Sequence, residues 1–218
     1  MADWKGKQRC KDISSLRIVQ WAFKVITRLS GVSVTVIGEE NIPDEAVLFI
    51  GNHRSYFDIV LTYSRCKRLT GYIAKKEVQK VPFLSVWMQY LYCLFLDREN
   101  AKEGLKTILK AIEYVKNGIS IFIFPEGTRN KGEELSLLPF KDGAFRIATK
   151  TGCPIVPVSL NNTADILENH FPHIKKTHVV IEYGKPIYPN ELDAETKKHI
   201  GAYVQNIVQE TINKNAEI

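Results

Sequence analysis

The sequence predicts an α/β fold: a largely parallel or mixed sheet flanked by helices, behind an N-terminal amphipathic helix. Two observations carry this. Short apolar runs alternate along the chain with stretches of helical periodicity. No repeat, low-complexity tract or linker divides the 218 residues, a length suited to a single core. Taken in order, strands are expected at 32–37, 47–50, 72–74, 94–96, 119–124, 155–159 and 179–183. Helices are expected at 57–67, 83–91, 102–116, 142–150 and 191–213. Within 102–116, Leu105, Ile108, Leu109, Ile112 and Val115 fall at helical spacing, and Asn117-Gly118 closes the helix. The last residues, 213–218, are expected to fray.

The first helix precedes all of this. At about 100° per residue, residues 16–29 gather Arg17, Gln20, Lys24 and Arg28 on a narrow face, with apolar side chains over the rest and Trp21 near the border. Lys5, Lys7, Arg9 and Lys11 lie upstream. This pattern fits a helix lying in a membrane interface, and equally a helix docked on the protein's own sheet. Charges interrupt its apolar stretch, so it does not read as a signal peptide. Residues 81–96 carry no charge, yet are too few to span a bilayer of about 30 Å as a helix. Trp87, Tyr90, Tyr92 and the aliphatics among them read first as buried core, and second as an apolar surface or an acyl-chain groove.

Composition restricts function only loosely. Lys+Arg 30 against Asp+Glu 24 gives +6, which suits anionic lipid, phosphate-bearing substrates or nucleic acid, and no nucleic-acid motif accompanies it. Cys10, Cys66, Cys93 and Cys153 form neither a C-x-x-C pair nor a zinc-spaced cluster, so a reducing compartment and no structural metal are expected.

The chemistry is concentrated in Asn52-His53-Arg54-Ser55-Tyr56-Phe57-Asp58, which follows an apolar strand. Gly51 and Asn52 break the strand, and Ser55 with Asp58 three residues on resembles a capping box opening a helix. His53 then stands in the strand-to-helix crevice where open α/β sheets bind ligands. Asp58, in the first helical turn, could hold one imidazole nitrogen and leave the other free as a base. A second apolar strand runs into Pro125-Glu126-Gly127-Thr128-Arg129, a turn whose N–H groups could face an anion and whose arginine supplies a planar fork for phosphate. Between them, Leu94-Phe95-Leu96 delivers Asp97-Arg98 at another strand end. Taken singly, a loop histidine and two surface arginines would be unremarked.

Together the motifs resemble the lysophosphatidic acid acyltransferase (1-acyl-sn-glycerol-3-phosphate acyltransferase) family. Four ordered blocks carry the resemblance: N-H-R-S-Y-F-D (52–58), L-F-L-D-R (94–98), F-P-E-G-T-R (124–129) and P-I-V-P-V (154–158), with L-P-F-K-D-G-A-F (138–145) linking the last two. The resemblance covers roughly residues 32–188. It implies the glycerolipid acyltransferase fold, with a membrane-interface segment at 1–31 and an acyltransferase domain at 32–218. It implies transfer of a fatty acyl group from a thioester donor to the sn-2 hydroxyl of 1-acyl-glycerol 3-phosphate, with His53 as base and Asp58 as its partner. Related acyltransferases with other acceptors, and a thioester or ester hydrolase, are the alternatives. It further implies phosphate binding by Arg129 and, as a weaker candidate, Lys75 (Lys76 if the alignment slips by one); Arg98 joins them from its place at a strand end, and Glu126, Gly127 and Thr128 complete the expected substrate-binding set. Glu126 is expected to organise its turn, and Lys141 is a further basic candidate. No cofactor is expected; acyl-CoA or acyl-acyl carrier protein serves as co-substrate, and acyl carrier protein is a candidate partner. The expected location is the cytoplasmic face of the cell membrane, peripherally bound.

Overall fold

The computed structural model describes residues 2–218, with side chains from Asp12 onward. The side chains of Lys5, Lys7, Arg9, Cys10 and Lys11 lie outside the described ones. The apolar runs become β1 (Ser33–Ile37), β2 (Leu48–Gly51), β3 (Thr70–Lys75), β4 (Leu94–Leu96), β5 (Ser120–Ile123), β6 (Ile155–Asn161) and β7 (His178–Tyr183). Among the described residues they form one seven-stranded sheet in the order β1-β7-β6-β2-β5-β3-β4. β6, β2, β5, β3 and β4 run parallel, while β7 pairs antiparallel with β6 and carries β1 parallel to itself. The sheet is therefore mixed, with a parallel body. The carboxyl ends of its five parallel strands share one edge, the usual ligand side of such sheets.

Both faces of the central strands are buried, which is why they read as unbroken apolar runs. The helices are α1 (Ala2–Leu29), α2 (Phe57–Tyr63), α3 (Leu84–Tyr90), α4 (Ala101–Lys116), α5 (Arg146–Thr151), α6 (Ala194–Lys198) and α7 (Ile200–Asn215). On one face Leu48, Ile50, Ile121 and Ile123 meet Ile108, Ala111 and Val115 of α4, Ile147 of α5, and Val204, Val208 and Ile212 of α7. On the other, Phe49, Phe122, Phe124 and Tyr72 meet Phe57 and Leu61 of α2 and Leu16 of α1.

Several boundaries differ from expectation. α2 stops at Tyr63, because Arg65 N–H bonds Thr62 O and Cys66 N–H bonds Tyr63 O, tighter three-residue turns than the helix makes. The helix expected over 142–150 begins as a 3-10 turn (Asp142–Phe145) and ends where Gly152 takes φ 77°. The one expected over 191–213 is two, broken at His199, with Asp193 accepting the N–H groups of Glu195 and Thr196 to cap the first.

The first reading of 81–96 as buried core is overturned. α3 has no buried residue, and Phe83, Leu84, Val86, Trp87 and Tyr90 are exposed; Leu91 and Cys93 are the buried members of that stretch. For α1 the docked reading holds for one face. Leu16 is buried, Gln20 donates to Cys66 O at 2.7 Å, and Phe23 packs edge-on against Tyr63, so one face docks on α2. The opposite side exposes Ile18, Trp21, Val25 and Leu29 beside Arg17, Lys24 and Arg28. Among the described residues no helix is long and apolar enough to cross a membrane.

Candidate active site

His53 follows β2 by two residues, at the carboxyl edge. Its Nδ1 lies 2.7 Å from Asp58 Oδ2. The same carboxylate oxygen accepts the backbone N–H groups of Arg54 (2.7 Å) and Ser55 (2.8 Å). Asp58 is fully buried, so three donors converging on one oxygen hold the carboxylate by charge-assisted bonds where water cannot replace them. An oxygen that already draws two N–H donors draws the Nδ1–H tautomer too, which leaves the lone pair on Nε2. Nothing among the described residues hydrogen-bonds Nε2, and the ring side chain keeps 16% of its surface accessible. Phe124 stacks beneath the imidazole at 4.1 Å between centroids and 15° between planes, fixing the ring's tilt from the next strand.

The second motif wraps round the first. The turn at the end of β5 is closed by Gly127 N–H donating to Phe124 O at 3.0 Å, with Pro125 and Gly127 where a β-turn favours them. That bond consumes an N–H the sequence offered to an anion. Gly127 takes φ 75°, and a Cβ there would meet Lys141 Nζ at 2.9 Å, so this ammonium lies over the turn. Glu126 is buried and accepts His53 N–H at 2.7 Å and Leu138 N–H at 2.9 Å. Burial pushes its carboxyl above the usual carboxylate range, and those two N–H bonds pull the other way. Its place is between the two motifs, with His53 as backbone neighbour. Asn130 N–H donates to His53 O at 2.7 Å from the far end of the turn. Arg129 lies with its guanidinium 3.8 Å over the Tyr56 ring and donates to Glu168 Oε1 at 3.0 Å. Thr128 is exposed beside it.

Residues 33–161 match the acyltransferase family. Two similar proteins are the 1-acyl-sn-glycerol-3-phosphate acyltransferases of Saccharomyces cerevisiae and Haemophilus influenzae. The first is 33% identical over 96% of this chain and 70% of its own length; the second is 30% identical over 94% and 84%. The chain belongs to the lysophosphatidic acid acyltransferase family. Its fold also resembles the crystal structure of the 1-acyl-sn-glycerophosphate acyltransferase of Thermotoga maritima, with a TM-score of 0.77 and 28% identity over 91% of this chain and 79% of that one.

In this acyltransferase the remaining basic residues stand apart from His53. Lys75 ends β3 and Arg98 follows β4, two and three strand positions from β2, which at about 4.8 Å per strand is roughly 10 and 14 Å along the edge. Both are exposed. Lys75 pairs with Glu77 at 3.2 Å, Lys76 with Asp97 at 2.7 Å. They form a basic continuation of the edge, without contact to the His53 cluster.

The structure adds roles that the motifs did not announce, and one residue outside them. Asn52 exchanges two bonds with the Leu160 backbone, at 2.9 and 2.8 Å, tying the His53 loop to β6. Arg54 is buried and donates to Gly132 O and Glu133 O, pinning the loop after the second motif. Glu168 reaches in from beyond β6. Asn52 and Arg54 stood in the first motif without an assigned role, and Glu168 lay outside every motif, a charge in a polar stretch.

Ser55 is the one aliphatic hydroxyl in the first motif, and it is fully buried. Its Oγ accepts Phe57 N–H at 3.0 Å and donates to Glu168 at 2.6 Å, so it caps α2 and has no access to a substrate carbonyl. Ser55→Ala is expected to cost about 1–3 kcal/mol of stability, for the cap plus a bond to a carboxylate, with turnover near wild type. Thermal melts run beside acyl-transfer assays check this; a folded, inactive variant would restore serine as nucleophile.

Proposed function

We propose that this acyltransferase moves a fatty acyl group from a thioester donor to the sn-2 hydroxyl of 1-acyl-glycerol 3-phosphate, giving phosphatidic acid, with His53 as general base. The relatives' activity supports the substrate class. The observation that carries the mechanism is the His53 Nδ1–Asp58 bond with Nε2 unpartnered. Nε2 accepts the hydroxyl proton as the oxygen attacks the thioester carbonyl, and the imidazolium that forms lies against the Asp58 carboxylate. The tetrahedral intermediate collapses by breaking the C–S bond, and the proton passes from His53 to the departing sulfur. No acyl-enzyme is needed, since Ser55 is buried and engaged. The donor, acyl-CoA or acyl-acyl carrier protein, is a co-substrate, and no cofactor takes part.

The acceptor phosphate lies against Arg129 in this reading, with the Gly127–Thr128 turn beside it and Arg98 and Lys75 further along the edge. Purified protein, radiolabelled acyl thioester and a panel of acceptors test it. Lipid product with 1-acyl-glycerol 3-phosphate supports the proposal; free fatty acid as the main product would make the protein a hydrolase. Arg129→Ala is expected to remove charge-assisted bonds worth about 1.5–3 kcal/mol, seen as a raised acceptor KM with the donor KM little changed. Arg98→Ala should act in the same direction and less strongly, being three strands from His53 and exposed. Equal responses to acceptors with and without a phosphate monoester would remove Arg129 from the site. The exposed apolar and basic side of α1, with α3 beside it, is the surface by which the enzyme meets the membrane holding its acceptor.

A further inference from the structure

Glu168 lies beyond residues 33–161, the span that matches the family, on a 3-10 turn (Glu168–His170) after β6. Its carboxylate nonetheless binds three groups around the first two motifs. Oε2 accepts the Ser55 hydroxyl at 2.6 Å, and Oε1 accepts both Tyr56 N–H at 2.9 Å and Arg129 Nη1 at 3.0 Å. Arg129 Nη2 reaches the Tyr56 hydroxyl at 3.2 Å, and the guanidinium lies 3.8 Å over that ring. Ser55 and Tyr56 immediately precede α2, whose Asp58 holds His53.

We propose that Glu168 is a positioning residue for the acceptor phosphate: it holds the Arg129 fork across Tyr56, beside the helix start that carries Asp58, and so sets the distance between phosphate recognition and the His53 base. This rests on Arg129 as the phosphate ligand. An unheld arginine samples many rotamers and loses that freedom when it binds, whereas one already clamped by an ion pair and an aromatic face gives up little. Pairing also cancels the carboxylate's charge, so it does not repel a phosphate, and the fork keeps donors uncommitted to Glu168 or Tyr56. The sn-2 hydroxyl is covalently tied to the phosphate, so fixing the arginine fixes where the hydroxyl falls relative to Nε2.

The test is a double-mutant cycle on the full chain, reading acceptor KM, donor KM, kcat and melting temperature for Glu168→Ala, Glu168→Gln, Arg129→Ala and the Glu168→Ala/Arg129→Ala pair. Glu168→Ala is expected to raise acceptor KM about tenfold, the scale of one charge-assisted bond, with donor KM unchanged. Glu168→Gln, which keeps an acceptor oxygen without the charge, should recover part of this. The pair should be no worse than Arg129→Ala alone, because Glu168 acts through Arg129. If Glu168→Ala does not fold, Glu168→Gln takes its place in the cycle. Additive effects, or a lowered melting temperature with unmoved acceptor KM, would leave Glu168 as a helix-start contact only and overturn the proposal while sparing the phosphate reading. Unmoved acceptor KM in Arg129→Ala would overturn both.

Discussion

Replacing His53 with alanine is expected to lower kcat by roughly 10²–10⁴, the range for losing a positioned general base, with little change in melting temperature. The small stability effect follows from the surroundings. The imidazole is partly accessible and contributes one stacked contact to Phe124, whereas the loop's shape is fixed by backbone bonds to Glu126, Asn130 and Asp58 that alanine retains. Asp58 should rank second, and for a reason only the geometry supplies. A single oxygen takes all three donors, so Asp58→Asn turns its amide oxygen to the same N–H groups and keeps the Nδ1–H tautomer. What is lost is the negative charge facing the imidazolium. Asp58→Asn should therefore fall between wild type and His53→Ala in kcat, while Asp58→Ala, which orphans two buried N–H groups, also loses about 1–3 kcal/mol per group of stability. Pre-steady-state assays on purified variants give the ranking. A fully active His53→Ala enzyme would end the base mechanism.

The strands were legible because buried parallel strands must be apolar on both faces. Phe49 points to one helix layer and Leu48 and Ile50 to the other, so the run has no polar interruption to hide it. The His53–Asp58 pair was legible because it is local: the hydrogen bond spans five residues, and the capping pattern placed both at a helix start. Arg129 and Glu126 were legible as a turn at a strand end. Their partners were not. Glu126 bonds a backbone N–H 73 positions away, and Glu168 reaches Ser55 across 113. Such contacts depend on β2, β5 and β6 lying side by side, an order that periodicity does not encode. The spacing of Lys75, Arg98 and Arg129 was hidden in the same way. All three stand at or after strand ends, and the strand order spreads them along the edge.

Residues 81–96 failed for a different reason. An uncharged run of aromatics and aliphatics is read as core by default, since exposing it to water is costly. Here it forms a surface helix entered through Phe83 at φ 62° and left through Tyr92 at φ 60°, backbone conformations that non-glycine residues seldom adopt. Such a backbone, with Phe83 itself 83% exposed, points to a function for the surface. Because α3 packs beside α1, with the Tyr92 hydroxyl on Asp12, the two helices present their apolar side chains together.

That shared surface gives the second large expected effect. Ile18→Glu with Trp21→Glu should release the enzyme from anionic vesicles, lowering the partition coefficient about 10²-fold or more. Each side chain, removed from the headgroup boundary, forfeits about 1.5–3 kcal/mol, and tenfold in partition is about 1.4 kcal/mol. Arg17, Lys24 and Arg28 on the adjoining strip each add about 1 kcal/mol near an anionic surface, so sedimentation should also weaken with salt. Val19→Glu with Phe23→Glu makes the contrasting pair. Val19 and Phe23 pack inward, Phe23 edge-on to Tyr63 at 5.9 Å, so these changes bury charge between α1 and α2 and should lower melting temperature. Activity separates the two further. The Ile18/Trp21 variant should lose activity on membrane-embedded acceptor and keep it on a short-chain, water-soluble one, because among the described residues no atom of His53, Asp58 or Arg129 bonds to α1. Unchanged sedimentation would move docking off α1, and equal loss on both acceptors would make α1 a support for the site itself. The expected split follows from the helix's division of labour: Leu16, Gln20 and Phe23 hold the enzyme together, and Ile18, Trp21, Val25 and Leu29 are exposed on its outward side.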